Sequence, residues 1–123
     1  MYRVVLAGLV WLLPVASAVA QDPVKVDAKH YKLVFENDRV RVLRITYGAH
    51  EKSVMHDHPD SVAVFLTDHH VKFTLPDGKT EEVQGKAGEN SWSQAGKHLP
   101  ENISDKPMEL ILVELKGPAP RTR

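Results

Sequence analysis

Between Tyr31 and Leu115 the apolar residues arrive in short runs rich in Val, Ile, Leu and Phe, each closed by a turn signal before a helix could be completed. No stretch there sustains a 3.6-residue apolar period over a useful length, and several runs alternate with a period of two. Strands are expected at Tyr31–Phe35, Arg39–Tyr47, Ser61–Thr67, Val71–Leu75, Thr80–Gln84, Asn90–Ser93 and Met108–Leu115. In Arg39–Tyr47 the apolar parity changes from Val40 and Val42 to Leu43, Ile45 and Tyr47, which predicts a β-bulge. Ser61–Thr67 and Met108–Leu115 are apolar on both faces, so both sides of each are expected to be buried, with Met108–Leu115 a central strand. Pro76-Asp77-Gly78 is the strongest hairpin signal, because Asp-Gly accepts the positive φ of a tight turn. About eight short strands at regular spacing imply an all-β domain, a sandwich or a barrel.

Composition narrows how such a domain can be held together. The chain has 123 residues and no cysteine, so no disulfide framework or lipidated cysteine is available, and one hydrophobic core must carry the fold. Residues 1–20 read as a secretory signal peptide: Arg3, an apolar run from Val4 to Val15, then Ala18 and Ala20 spaced as a cleavage site before Gln21. The apolar run is short and interrupted by Pro14, which favours cleavage over a retained anchor and predicts an exported protein, periplasmic or secreted, without stable membrane insertion. Residues 21–30 read as a linker or N-terminal arm, 31–115 as the folded domain and 116–123 as a tail without a packing pattern. Lys plus Arg and Asp plus Glu each number 16, with no basic run, which argues against nucleic acid and anionic membrane surfaces as partners.

Chemistry concentrates in the histidines, of which there are seven. In the segment Val54-Met55-His56-Asp57-His58-Pro59-Asp60, extended backbone puts His56 and His58 on one face and Asp57 on the other. Two imidazoles about 7 Å apart along a strand can converge on one ion at metal–nitrogen distances near 2.1 Å. A bare His-x-His pair is weak evidence, and a third ligand has to come from elsewhere. His69 and His70 are expected in an exposed turn after Asp68, and His30 and His50 have no partner in the sequence.

The segment Gly48…His56-x-His58, followed by Gly88…Ala95-Gly96-Lys97-His98-x-x-x-Asn102, resembles the two sequence motifs of the cupin superfamily. The resemblance covers about residues 31–115, and it implies a cupin-type jelly-roll barrel of two packed antiparallel sheets. It implies His56, His58 and His98 as metal ligands. Four departures stand out. Val62 replaces the glutamate of the first motif, Gln94 replaces the proline of the second, His98 lies one residue nearer Gly96, and Asp68-His69-His70 stand where a glycine usually closes the first motif. Among the carboxylates near the motifs, Glu101 is the candidate for an acid–base role. Val62, Val64 and Leu66 share the parity of His56 and His58 if the register runs through, so Val62 and Val64, with Trp92 and Asn102, are expected to line the pocket.

Histidine-only ligation suits Zn, Fe, Ni or Cu, and the resemblance adds Mn; Mg and Ca prefer oxygen. Without the glutamate, three neutral imidazoles leave a divalent ion its full charge, which suits a small, organic, anionic ligand in an apolar pocket. Two classes stay open at this level. One is a metal-dependent oxygenase, hydrolase or isomerase; the other is a barrel, with or without metal, that binds or senses a small molecule. Apolar residues on both faces of two strands also predict that a partner covers one sheet, as in a homodimer.

Overall fold

A computed structural model describes residues 21–117, so the expectations for residues 1–20 and for the tail beyond Gly117 lie outside the described residues. One helical turn, α1 (Pro23–Val26), precedes nine strands: β1 (Tyr31–Glu36), β2 (Val40–Tyr47), β3 (His56–His58), β4 (Ser61–Phe65), β5 (His69–Thr74), β6 (Thr80–Gly85), β7 (Asn90–Ser93), β8 (Gly96–Asn102) and β9 (Met108–Leu115). They form a five-stranded sheet in the order β1-β2-β9-β4-β7 and a four-stranded sheet in the order β3-β8-β5-β6, with antiparallel pairing throughout. The chain is all-β, as expected, and β9 is the central strand of the larger sheet. Among the described residues no helix is long and apolar enough to cross a membrane.

The core lies between the sheets. Leu43, Ile45 and Tyr47 of β2, Ala63 and Phe65 of β4, and Leu110 and Leu112 of β9 supply most of it, with Val71 facing them from β5. At the β5–β6 hairpin Gly78 adopts φ 86°, and Asp77 Oδ1 accepts from Lys79 N at 2.9 Å. The Asp77-Gly78 turn therefore lies where its sequence signal puts it, but two local expectations fail for identifiable reasons.

The bulge is in β1, where pairing jumps between Leu33 and Phe35, and β2 runs without a parity slip. Its odd residues all face the core side, and position 41 there is an arginine bonded to Glu114 rather than an apolar side chain. His69 and His70 do not form an exposed turn: they open β5, and His69 is buried with its ring stacked on Phe65 at 3.5 Å between centroids. Gly96–Asn102, which carries His98, forms the strand β8 although it contains Pro100. Pro100 O accepts from Ser53 N at 3.0 Å, so the ring nitrogen faces the same edge, where β3 has already ended.

The segment read as a linker or N-terminal arm is held against the barrel. Asp22 caps α1 by accepting from Val24 N, Val24 packs against the core, and the carbonyl of Gln21 accepts from Asp57 N at 2.9 Å.

Candidate metal centre

His56 and His58 sit on the three-residue strand β3, which Pro59 ends by withholding a backbone donor. Both side chains are buried while Asp57 between them faces outward. β3 pairs with β8 so that His56 lies directly across from His98 and His58 across from Gly96. Directly opposed residues have Cβ atoms only about 5 Å apart, which is how a distant histidine reaches the pair. The three ring centroids are 4.8, 5.0 and 5.1 Å from one another, and one nitrogen of each ring lies within 4.8 Å of the others.

The partners of the remaining nitrogens fix the tautomers. His56 Nδ1 lies 2.8 Å from the Val54 carbonyl, which can only accept, and His58 Nδ1 lies 2.6 Å from Glu114 Oε2. Both Nδ1 atoms therefore carry hydrogen, and in neutral rings both Nε2 atoms present lone pairs. Those lone pairs face each other at 3.0 Å. Two acceptors at that distance repel unless a proton or a cation lies between them. The separation of 3.0 Å subtends roughly 90° at an ion held ~2.1 Å from each nitrogen. A proton would bridge two acceptors, whereas a third nitrogen converging from His98 is what a metal ion uses. The donor set fits a transition metal.

Comparison with solved structures settles the architecture. A cupin domain from Bordetella pertussis Tohama I superposes with a TM-score of 0.66 at 24% identity, over 71% of this chain and 92% of that one. An RmlC-like cupin family protein with a double-stranded β-helix fold from Methanocaldococcus jannaschii gives 0.57 at 17% identity, over 69% of this chain and 77% of that one. A cupin superfamily protein from Desulfitobacterium hafniense DCB-2 gives 0.53 at 12% identity, over 69% and 74%. The chain has the cupin fold. No protein-family model matches its sequence, and no curated protein matches it either.

Within this cupin barrel His56 and His58 are buried and His98 is half-buried. His56 is fully buried, with the Tyr31 ring edge-on at 4.8 Å, and Phe73 of β5 stacks on His98 at the same distance. Burial, helped by the neighbouring His58, pulls His56 down to about 4; burial, with both neighbouring histidines, pulls His98 down to about 3. Both rings are neutral at physiological pH, the form that ligates a metal. Beside them a cavity of about 320 Å³ runs between the sheets, walled by apolar residues such as Ile45, Ala63, Phe65 and Leu110, with Ser61, Ser91, Ser93, Gln94, Glu81 and Lys97 as its polar lining. Tyr31 and Tyr47 share a hydrogen bond of 2.6 Å at its edge, and burial raises both phenols, so they stay protonated. Gly96, opposite His58, has nothing within 4 Å of where a Cβ would lie, which leaves that side of the cluster open.

Several expected site residues stand elsewhere. Val62 and Val64 do not line the cavity; Ser61, Ala63 and Phe65 of the same strand do. The chain leaves the four-stranded sheet at Pro59-Asp60 and enters the five-stranded one at Ser61, so parity does not run through from His58. Leu66 lies beyond β4 and is exposed. A carboxylate at position 62 would point away from the histidines. Trp92 pairs with Val62 on the outer face and is 56% exposed. Asn102 is buried but structural, donating to the carbonyls of Gly48 and Lys106 at 3.0 and 2.8 Å. Glu101 has the opposite parity to His98 and faces Lys72 at 3.9 Å, outside the cavity.

The carboxylate that serves the cluster is Glu114, 1% exposed, on β9. Burial alone would push its carboxyl up, but the hydrogen bonds from His58 and Arg41 outweigh that and hold it below the ordinary glutamate value. Its signal in the sequence was the alternation Met108, Leu110, Leu112, Glu114, which places one charge on an otherwise apolar inward face.

Proposed function

We propose that this is an exported small cupin that holds a divalent transition metal through His56, His58 and His98 and binds a small organic anion in the adjoining cavity. The observation that carries the reading is the pair of opposed Nε2 lone pairs 3.0 Å apart, with a third imidazole beside them. Zn, Fe, Mn, Ni and Cu are the candidate ions; softness of the ligands selects this group without choosing within it. When bound, such an ion supplies Lewis acidity and acidifies coordinated water.

The residues supply the rest. Val54 O and Glu114 orient the two β3 rings, Phe73 stacks on the third, and Gly96 keeps an approach open. Three neutral ligands leave the ion's double charge uncancelled at the cavity, which favours an anion such as a carboxylate or an enolate. Walls that are mostly apolar, with Lys97 as a cationic lining residue and Glu81 as an anionic one, favour a small ligand over a peptide or a glycan. Export rests on the pattern of residues 1–20 and is compatible with the seated Gln21 and Asp22, which a cut before Gln21 leaves in place.

A second copy of the chain is proposed to cover the outer face of the larger sheet. Phe35, Val42, Val113, Val62 and Trp92 are successive cross-strand neighbours there, forming one apolar row across all five strands. Val113 lies at the middle, so a two-fold axis running along β9 over it would set the Phe35 of one copy against the Trp92 of the other.

Elemental analysis of the mature protein from the exported fraction tests the metal reading, alongside a variant with His56→Ala, His58→Ala and His98→Ala. Stoichiometric metal in the wild type and its loss in the variant is expected. Equal trace metal in both would sink the proposal. Titration of the loaded protein with small carboxylates, against neutral isosteres, then tests the anion preference.

A further inference from the structure

Glu114 does not end the chain of contacts that begins at His58. Its second oxygen, Oε1, accepts from Arg41 Nε at 2.7 Å, and the far side of the same guanidinium donates through both terminal nitrogens to the two oxygens of Asp22, each at 2.8 Å. The series His58–Glu114–Arg41–Asp22 thus runs from the metal cluster, through an almost fully buried carboxylate and an inward-facing arginine, to the residue that caps α1. Arg41 is an unusual occupant of an inward position in a strand whose other inward residues are Leu43, Ile45 and Tyr47. A guanidinium there is costly unless both its edges are matched by carboxylates, and here both are. The same arm touches β3 a second time, because the carbonyl of Gln21 accepts from the backbone of Asp57, the residue between the two histidines.

We propose that Asp22, Arg41 and Glu114 are positioning residues that lock His58 as its Nδ1–H tautomer and orientation, so that the N-terminal arm at Gln21–Asp22 governs how His58 presents Nε2 to the cluster. His56 is held chiefly by local backbone, since the Val54 carbonyl lies 2.8 Å from its Nδ1 while Ser53 Oγ, its link to Asp27, is farther off at 3.4 Å. The two rings, alike in sequence context, are therefore under different control. A removal of Asp22 frees one edge of Arg41, which can then turn toward solvent; Glu114 loses its partner and His58 its restraint. Arg41→Lys fails in the same way, because one ammonium cannot match two carboxylates on opposite sides. The relay rests on the metal reading only for its consequence in ion affinity; its effect on the tautomer of His58 exists without metal.

The test uses ¹⁵N-histidine NMR on the metal-free mature protein, comparing wild type with Glu114→Gln, Arg41→Lys and Asp22→Asn. Asp22→Asn lies at the accessible end of the relay and changes no core packing, so it stays informative if Glu114→Gln unfolds. The expected result is Nδ1 protonated at both rings in the wild type, with partial loss of the Nδ1 hydrogen at His58 and an unchanged His56 Nδ1 in each variant. An unchanged His58 in folded Asp22→Asn and Arg41→Lys overturns the relay. Competition with a zinc chelator reads the consequence: Glu114→Gln is expected to weaken zinc binding on the order of 10- to 100-fold, as removal of outer partners of metal-bound histidines typically does. Tautomer loss in the variants with no zinc binding by the wild type would keep the relay and remove the metal function, so the two failures are told apart.

Discussion

Burial makes His56 and His98 poor bases, and that has a thermodynamic consequence. In the unfolded chain each takes up a proton near the ordinary histidine value of about 6.5. In the barrel they resist protonation down to about 4 and about 3. Between the unfolded and folded values the unfolded state binds more protons, so stability rises with pH across that interval. Metal-free protein is expected to hold its full stability above about 6.5 and to lose it progressively as the pH falls toward 4, by on the order of 3 kcal/mol for His56 alone. Thermal melts across that range check this, with His98→Leu showing a shallower slope than wild type. A melting temperature that stays level as the pH falls would contradict the burial of neutral rings.

At the scale of elements, the pairing of β5 with β6 fixes a steric requirement. His69 stands directly opposite Gly85, and a Cβ at Gly85 would lie 2.7 Å from His69 Cε1 and nearer still to Glu89 Oε2, the movable tip of an exposed side chain that can swing away. The ring cannot retreat, because Phe65 stacks on it at 3.5 Å. Gly85→Ala is therefore expected to destabilise the protein by about 1–3 kcal/mol. Combining it with His69→Ala removes the obstacle, so the double variant should lose less than the sum of the two single changes. Denaturant melts of the four proteins measure that coupling; strict additivity would show that His69 is not what excludes a side chain at position 85. The same logic of opposed positions built the histidine cluster, where β8 sets His98 against His56 and glycine against His58.

The outer face of the larger sheet is where the molecule as a whole meets its surroundings. Phe35 is 53% exposed and Trp92 56%, at the two ends of the apolar row. Leaving such a row in water forgoes roughly 25 cal/mol for each Å² of apolar surface that a second copy would cover. Sedimentation of the mature protein at micromolar concentration is expected to show a dimer, with Val62→Glu and Trp92→Glu monomeric. Both variants should keep their metal, because the row lies on the face of β4 and β7 turned away from the cavity. A monomeric wild type would remove the dimer while leaving the metal site untouched.

By itself the sequence determined what depends on local chemistry and short-range geometry. Alternation marked most strands, Asp77-Gly78 marked its hairpin, and the spacing of His56 and His58 put them on one face. The cupin motifs carried the choice of His98, and tertiary pairing gave that choice its geometry. What depends on register between distant strands was not legible. The change of sheet at Pro59-Asp60 reversed the facing of Val62 and Val64, so a position read as a lost ligand never pointed at the site. Glu114 meets His58, and Arg41 meets Glu114, only because β9 pairs with β2 and the two sheets close on each other. Strand parity is a property of consecutive residues, whereas contact across a barrel is set by which strands lie side by side, and only the folded chain fixes that.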